Sequence, residues 1–254
     1  MYRRRVETEL FFWTIRLSIL FLLPLHVSDI GIYQGDVSRF LTLGQWPYRD
    51  FGFEYPPLTF GVLLLPACLA EFFQLLRDWD YRFFLALLIL PFDYALFRGF
   101  LKNPPIPRAA FLYVALTSLL PHLLFDRLDL VVAAGIALPF LWQQRGQQKT
   151  DAPFVLGWGF AAALKLVPLL LLPFRLVEGR GGIKRWLRVG FFTAAPLLLS
   201  TIMVITLSGG PISFLSYHGA RGVQVESLLG NFFLSLHAGG LVKGVDIVNA
   251  FRSQ

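Results

Sequence analysis

Long apolar runs alternate with short polar stretches along the 254 residues of this chain. Several runs approach the roughly 20 residues that a helix needs to cross a bilayer. The pattern predicts crossings at residues 10–27, 83–100, 109–125, 130–142 and 191–207, followed by a weaker apolar run at 228–242. The predicted fold class is therefore all-α, a polytopic integral membrane protein that forms a single transmembrane domain over residues 1–254.

Two apolar runs do not fit a simple alternation of crossings. If residues 57–73 crossed, the basic loop after the next span would face outward, against the usual excess of Lys and Arg on the cytoplasmic side. We therefore expect an interfacial helix there. Residues 152–174 are too few for two full spans, and one straight span would leave another basic segment outside. Because Pro168 and Pro173 interrupt this run, we expect two short helices that bring Lys165 to the outer side.

Composition and charge agree with a membrane protein. Hydrophobic residues make up 56% of the chain and charged residues 15%, whereas soluble domains carry about 25% charged residues. The net charge of +7 would suggest nucleic acid for a soluble chain, but basic loops beside anionic lipid explain it here. We therefore expect membrane lipid, and no nucleic acid, as a partner.

The basic N-terminus sets the predicted orientation. Arg3, Arg4 and Arg5 precede an apolar core that is long for a signal peptide and has no Ala-x-Ala cleavage site. An uncleaved first span with a cytoplasmic N-terminus follows. The outer, extracytoplasmic side then receives a long loop at 28–80, which we interpret as the catalytic loop, and shorter loops around 125–129, 165–168 and 208–228.

These outer loops concentrate ionisable and aromatic side chains in a chain that is otherwise short of charge. Ionisable groups at membrane depth are costly and usually functional. A carboxylate that deprotonates a hydroxyl, next to cations that hold a phosphate leaving group, suits group transfer from a phosphate-linked donor. No spacing indicates a zinc site, and nothing supports a divalent ion at the acidic loop, so we expect no cofactor. A single cysteine, Cys68, excludes an intramolecular disulfide.

Four motifs in the outer loops resemble one known family. The pattern S-D-x-x-x-Y at 28–33, followed by G-x-x-P-Y-R-D-F-x-x-E-Y-P-P-L at 44–58, is similar to the first outer loop of GT-C membrane glycosyltransferases. The closest resemblance is to the bacterial polyprenyl-phosphate-mannose-dependent mannosyltransferases of glycosyltransferase family 87. Three later segments resemble that family in the same order: F-D-R-L-D at 125–129 (the family has Gly at Asp126), L-G…A-L-K-x-x-P at 156–168, and Y-H…R-G-V-Q-V-E-S at 217–227.

The resemblance implies a GT-C helix bundle in the bacterial inner (plasma) membrane that acts at the extracytoplasmic face. It implies transfer of a hexose, mannose in this family, from a polyprenyl-phosphate-linked donor to a hydroxyl of a glycan or glycolipid acceptor, with inversion. The family's general-base aspartate corresponds by position to Asp29, with Asp36 as the alternative. The substrate-binding candidates are Tyr33, Arg49, Asp50, Glu54, Tyr55, Arg127, Asp129, Lys165, His218, Arg221 and Glu226.

Other interpretations of the same residues stay open at this point. Arg49, Asp50 and Glu54 are equally suited to bracing the loop, and Arg127 and Asp129 could pair across a tight turn. Family members usually continue for several more helices, which implies a C-terminally truncated fragment or a minimal form, and therefore an inactive member as one alternative. A transporter or flippase of lipid-linked sugars is the other alternative, but it needs polar groups at the midplane with access from both sides. The predicted one-sided clustering favours the enzyme.

Overall fold

Helices provide nearly all of the secondary structure in the computed structural model, which describes residues 2–22, 29–73, 78–102, 108–143, 151–178, 182–209 and 228–243. Within these ranges no β-strand occurs, and an isolated bridge joins Pro47 to Phe51. The all-α class is therefore confirmed. In chain order the helices are α1 (Tyr2–Leu22), α2 (Asp29–Leu43), α3 (Pro57–Phe72), α4 (Asp78–Lys102), α5 (Ala109–Ser118), α6 (Pro121–Phe125), α7 (Asp129–Gln143), α8 (Ala152–Leu164), a 3₁₀ helix (Val167–Leu171), α9 (Leu172–Glu178), α10 (Gly182–Ser208) and α11 (Leu228–Ala238).

Two helices in the described part of the chain are long and apolar enough to cross a membrane. They are Asp80–Lys102, which is most of α4, and Gly182–Ser208, which is α10. The apolar helices α3, α5, α7 and α8 are shorter, with 10 to 17 residues each. The expected first span begins within α1, but α1 carries Glu7, Glu9 and Arg16 and is not one of the two.

Helix α2 lies where the sequence predicts a loop, in residues 28–56. Its buried face is formed by Ile30, Tyr33, Asp36 and Val37. The spacing of three and four residues between these positions is that of an amphipathic helix. The signal was therefore present in the sequence, but the polar residues between these positions obscured it.

Side-chain contacts show that α1 runs antiparallel to α4. Near the start of α1, Glu9 pairs with Arg98 close to the end of α4. Near the end of α1, the ring of Phe21 lies 6.3 Å from that of Phe83, close to the start of α4. The same two helices and α5 enclose a small apolar cluster that is separate from the main core around α3, α4, α7 and α8.

A buried ion pair and three hydroxyl groups join α1, α4 and α5. The guanidinium of Arg16 contacts the carboxylate of Asp93 at 2.6 Å, and both side chains are almost fully buried. The Arg16 guanidinium also donates to the hydroxyls of Thr117 and Ser118, and the Tyr113 hydroxyl donates to Asp93. Because a buried charge is costly unless it is paired and hydrogen-bonded, these partners allow a charge inside the bundle.

Helices α7, α8 and α10 form the second half of the bundle. The rings of Phe140 and Phe154 lie 4.9 Å apart, and at the opposite ends of the same two helices Lys165 meets Asp129, so α7 and α8 are antiparallel. Asp151, just before α8, pairs with Arg185 in the first turns of α10, so α8 and α10 start at the same end.

The apolar run that begins at residue 152 breaks at Lys165, as its prolines predict. Helix α8 ends at Leu164, and Lys165 has an extended backbone with φ −145° and ψ 139°. The 3₁₀ helix and α9 then carry the chain back, so that Arg175 in α9 reaches Asp151 beside the start of α8, at 3.1 Å. The segment therefore reverses at Lys165, and α8, at about 20 Å, is shorter than a bilayer core.

These contacts divide the bundle into two ends. The site end holds the end of α1, the starts of α4 and α7, Lys165 and the end of α10 at Ser208. The basic end holds the starts of α1, α5, α8 and α10 and the end of α4. The cations of the basic end include Arg98, Lys102, Arg108, Arg175, Lys184, Arg185 and Arg188.

Glycines bring the backbones of α7 and α8 into direct contact. A Cβ atom at Gly135 would lie 2.7 Å from the carbonyl oxygen of Gly157, and a Cβ atom at Gly157 would lie 2.5 Å from that of Gly135. Close approach through small residues is typical of helix pairs in membranes, where packing rather than water exclusion drives association. This contact fixes the separation of the two helices whose ends carry Asp129 and Lys165.

The turn between α6 and α7 is held by a second buried ion pair. The guanidinium of Arg82, near the start of α4, contacts the carboxylate of Asp126 at 3.0 Å, and both side chains are buried. Arg127 and Asp129 follow directly in the chain. The pair therefore fixes the position of two predicted site residues relative to α4.

We expect Gly157→Val to lower the free energy of unfolding by about 1–3 kcal/mol, because the new side chain overpacks the contact with α7. Gly190→Ala in α10 is the matched control, since nothing lies within 4 Å of the added Cβ, and helix propensity predicts a gain of about 0.5–1 kcal/mol. Equilibrium unfolding of the purified proteins in detergent measures both. Equal stability of the two variants would contradict the close contact.

Removal of one member of the Arg82–Asp126 pair should cost about 3–5 kcal/mol, because the remaining charge stays buried without its main partner. Asp126→Leu and Arg82→Met each test this, and the double variant should lose much less than the sum of the two single losses. The free energy of unfolding is measured for the parent, the two single variants and the double variant, which together form a double-mutant cycle. Additive losses would show that the two charges do not stabilise each other.

Candidate functional site

Four segments bring charged and phenolic side chains together at the site end. They are the first turns of α2, the loop between α2 and α3, the turn before α7 with its first residue, and the residue that follows α8. Hydrogen bonds, ion pairs, a ring contact and electrostatic interactions connect these side chains. We refer to the following residues as the site cluster: Asp29, Tyr33, Glu54, Tyr55, Arg127, Asp129 and Lys165.

Asp29 is the first residue of α2 and pairs with Arg127. The Arg127 Nε atom lies 2.8 Å from Asp29 Oδ2, and an Nη2 hydrogen bond to Oδ1 measures 3.2 Å. Burial raises the pKa of Asp29 above its ordinary value of 3.8, and nearby Glu54 raises it further, although Arg127 and Lys165 act in the opposite direction. The carboxyl group is therefore a stronger base than an exposed aspartate.

Lys165 connects the carboxylate of Asp129 to the aromatic side of the site cluster. Its Nζ atom lies 2.6 Å from Asp129 Oδ1 and 5.3 Å from the centre of the Tyr55 ring. The side chain of Asp129 is 44% exposed and that of Lys165 is 21% exposed. Both groups are therefore accessible from the site end and could be reached by a ligand.

Two tyrosines pack against each other beside the charged groups of the site cluster. The hydroxyls of Tyr33 and Tyr55 lie 3.2 Å apart, and their rings meet edge to face. Burial raises the pKa of both phenols, so they remain protonated at neutral pH. They present hydroxyl hydrogen-bond donors and flat apolar rings next to the charged groups.

Local backbone features hold the loop and the end of α8 in place. Gly44 and Tyr48 have positive φ angles of 65° and 68°, which turn the chain sharply after α2. The Tyr48 hydroxyl donates to the carbonyl oxygen of Tyr55. The buried Thr59 hydroxyl donates to the Leu164 carbonyl oxygen at 2.6 Å, which satisfies an acceptor at the end of α8. These bonds fix Tyr55 and Lys165 relative to each other.

Arg49 and Asp50 lie apart from the site cluster. Their side chains pair with each other at 2.7 Å, and Arg49 also donates to the Ser208 carbonyl oxygen at the end of α10. Asp50 accepts a hydrogen bond from the Trp46 amide, and the hydrogen bonds from Arg49 and that amide lower the pKa of its carboxyl group. In this structure the two residues brace the loop against α10, which is one of the two interpretations that the sequence left open.

Three further candidates, His218, Arg221 and Glu226, lie outside the described residues. The alternative base Asp36 is buried on α2, two turns after Asp29. The sequence does not indicate Arg82, Asp126, Tyr48 and Thr59 as residues that position the site, although the structure gives them that role. A charge at the edge of an apolar run, as at Arg82, is an available signal, because a charge at membrane depth needs a partner.

The site cluster combines a base with cations that can change partners. Each described cation of the cluster contacts one carboxylate, and Glu54 adds negative charge. An anionic ligand would compete with Asp29 and Asp129 for Arg127 and Lys165, and would leave a carboxylate free to accept a proton. Within the described ranges, no group of three or more His, Cys, Asp or Glu side chains is arranged to hold a metal ion.

Comparison of this chain with protein-family models, with curated proteins and with solved structures gave no match.

Proposed function

We propose that this protein crosses the membrane several times, with its N-terminus and basic end in the cytoplasm and its site end outside, as in a bacterial inner membrane. The lengths of α4 and α10 support this. So does the surface of α10, where large apolar side chains are more than half exposed and lipid tails would cover them. They include Phe191, Leu199, Ile202, Met203 and Leu207.

The separation of the two ends supports the proposed orientation. The basic end carries the larger number of described cations, as expected for the cytoplasmic side. Both ends of α3 lie toward the site end, because Thr59 contacts Leu164 there and the chain enters α4 shortly before Arg82. Helix α3 has 16 residues, about 24 Å. This arrangement suits a helix that lies along the outer interface.

We further propose that the protein is a glycosyltransferase. It would move a hexose, which the family resemblance suggests is mannose, from a polyprenyl-phosphate donor to a hydroxyl of a glycan or glycolipid on the extracytoplasmic face. The observation that carries this proposal is the convergence of Asp29, Arg127, Asp129 and Lys165 from three distant segments at one end of an apolar bundle. This adds to the motif resemblance, because residues of three of its four motifs meet there.

The site cluster suggests how each group would act. Asp29 accepts the proton of the acceptor hydroxyl, and the hydroxyl oxygen attacks the anomeric carbon from the face opposite the phosphate. The bond between the anomeric carbon and the phosphate oxygen breaks, and polyprenyl phosphate leaves with the bonding electrons. One displacement inverts the configuration. Phosphate is a good leaving group without protonation, so one base is enough and no cofactor is needed.

Cations of the outer face would hold the donor phosphate. Lys165 and Arg127 are close enough to the carboxylates to exchange these partners for phosphate oxygens, and such an exchange would free Asp29 to act as the base. Arg221, from the outer loop after α10, would be a further phosphate ligand. Tyr33, Tyr55, Glu54 and Asp129 would contact the sugar, since aromatic rings and carboxylates suit its apolar faces and hydroxyls.

We expect Asp29→Asn to lower the rate of sugar transfer by about 10²–10⁴-fold, because the amide cannot accept the proton. The assay measures transfer from radiolabelled polyprenyl-phosphate mannose in membranes that contain the full chain at matched expression. The control is Glu71→Gln, which removes an exposed carboxylate of α3 outside the site cluster and should leave the rate unchanged.

The outcomes separate the possible functions. Retained transfer in Asp29→Asn would show that Asp29 is not the base, and Asp36→Asn would then be tested. Absence of transfer by the parent chain would contradict the proposed activity for this chain. Movement of the labelled lipid across proteoliposomes in that case would identify a transporter.

The transfer rate should depend on pH through Asp29. The base must be ionised, so the rate should rise with pH as the carboxyl group loses its proton. Because burial raises the pKa of Asp29 in the folded protein, the acid limb of the pH–rate profile should lie above pH 3.8. Single-turnover rates of sugar transfer, measured at a series of pH values, locate this acid limb. A limb at or below the ordinary aspartate value would contradict the buried environment.

A further inference from the structure

A groove between α8 and α10 lies at the basic end, far from the site cluster. Its volume is about 430 Å³, within the range of ligand-binding pockets. It is lined by Asp151, Ala152, Val155, Leu156, Arg188, Val189 and Phe192. The proposed chemistry uses none of these groups, and Leu156 alone among them belongs to one of the outer-loop motifs.

The lining changes from polar to apolar along the helix axes. Asp151 and Arg188 lie toward the starts of α8 and α10. Leu156 and Phe192 lie one turn or more further along these two helices. Since α8 and α10 both start at the basic end, the apolar part of the groove extends toward the middle of the bundle. An amphiphile with a charged head and an apolar tail matches this gradient.

The charge at the mouth of the groove is positive and partly uncommitted. Asp151 already accepts hydrogen bonds from both Arg175 and Arg185. Arg188 and Lys184 are exposed and lie one turn apart on α10, so their side chains share a face of the helix. Neither forms an ion pair or side-chain hydrogen bond with the part of the chain that the structure describes. Both cations are therefore available to an anionic group.

We infer that this groove binds an anionic phospholipid of the cytoplasmic leaflet, with the headgroup phosphate at Arg188 and Lys184 and an acyl chain along Val155, Leu156 and Phe192. Basic pockets between helices on the cytoplasmic side suit such headgroups. The inference rests on the proposed membrane placement and orientation, but not on the proposed sugar transfer. The bound lipid would tie the starts of α8 and α10 together.

Native mass spectrometry of the full chain in detergent tests this with dioleoyl phosphatidylglycerol, and with dioleoyl phosphatidylcholine as the zwitterionic comparison. The parent should bind phosphatidylglycerol preferentially. Arg188→Gln should weaken that binding about five-fold, the effect of one cation near an anionic headgroup. Ala152→Trp should abolish it, because Ala152 is exposed beside Asp151 at the mouth of the groove and the indole would fill the entrance that the lipid must occupy.

Lys102→Gln is the matched control, since Lys102 is an exposed cation of the basic end on α4, outside the groove. It should leave binding unchanged. Equal losses in Arg188→Gln and Lys102→Gln would overturn the inference and indicate general attraction to a basic surface. Equal binding of the two lipids by the parent, or retained binding in Ala152→Trp, would also overturn it. Melting temperatures without added lipid confirm that each variant is folded, and none of these readings depends on sugar transfer.

Discussion

Two ion pairs buried inside this apolar bundle each join residues from distant parts of the chain. Arg16 and Asp93 are 77 residues apart and join α1 to α4. Arg82 and Asp126 join α4 to the turn before α7. Breaking such a pair would leave a buried charge without its main partner, so the pairs restrict how the helices can be arranged. The site cluster depends on this, because Arg127 and Asp129 adjoin Asp126.

Much of the fold follows from the distribution of apolar residues and prolines. The long apolar runs correspond to α4, α7 and α10, and the reversal at Lys165 follows from the length of its run and from Pro168. The register between helices could not be predicted in this way. It depends on contacts such as Gly135 with Gly157, where the absence of a side chain allows two backbones to meet, and hydropathy does not distinguish such a glycine from any other.

In the site, too, the sequence identifies the candidate residues, and the packing of the helices decides how they pair. Concentrated charge in the outer loops identified Asp29, Arg127, Asp129 and Lys165 as candidates. Which cation pairs with which carboxylate could not be predicted. In a loop of unknown conformation, each cation could reach several acids. The α2 helix decides it by placing Asp29 at its first residue, facing Arg127. The positioning roles of residues such as Thr59 are also invisible in sequence, because a hydroxyl that satisfies one carbonyl leaves no pattern.

The separation of the bundle into a basic end and a site end has an electrical consequence. Moving one elementary charge across a membrane potential of 100 mV changes its energy by about 2.3 kcal/mol. In the proposed orientation, and in an energised membrane with a negative interior, the cations of the basic end would lie on the side that attracts them. The membrane potential would thus favour the proposed orientation of the protein over the inverted one. An inverted copy would carry Lys102, Arg108, Lys184 and Arg188 against the field.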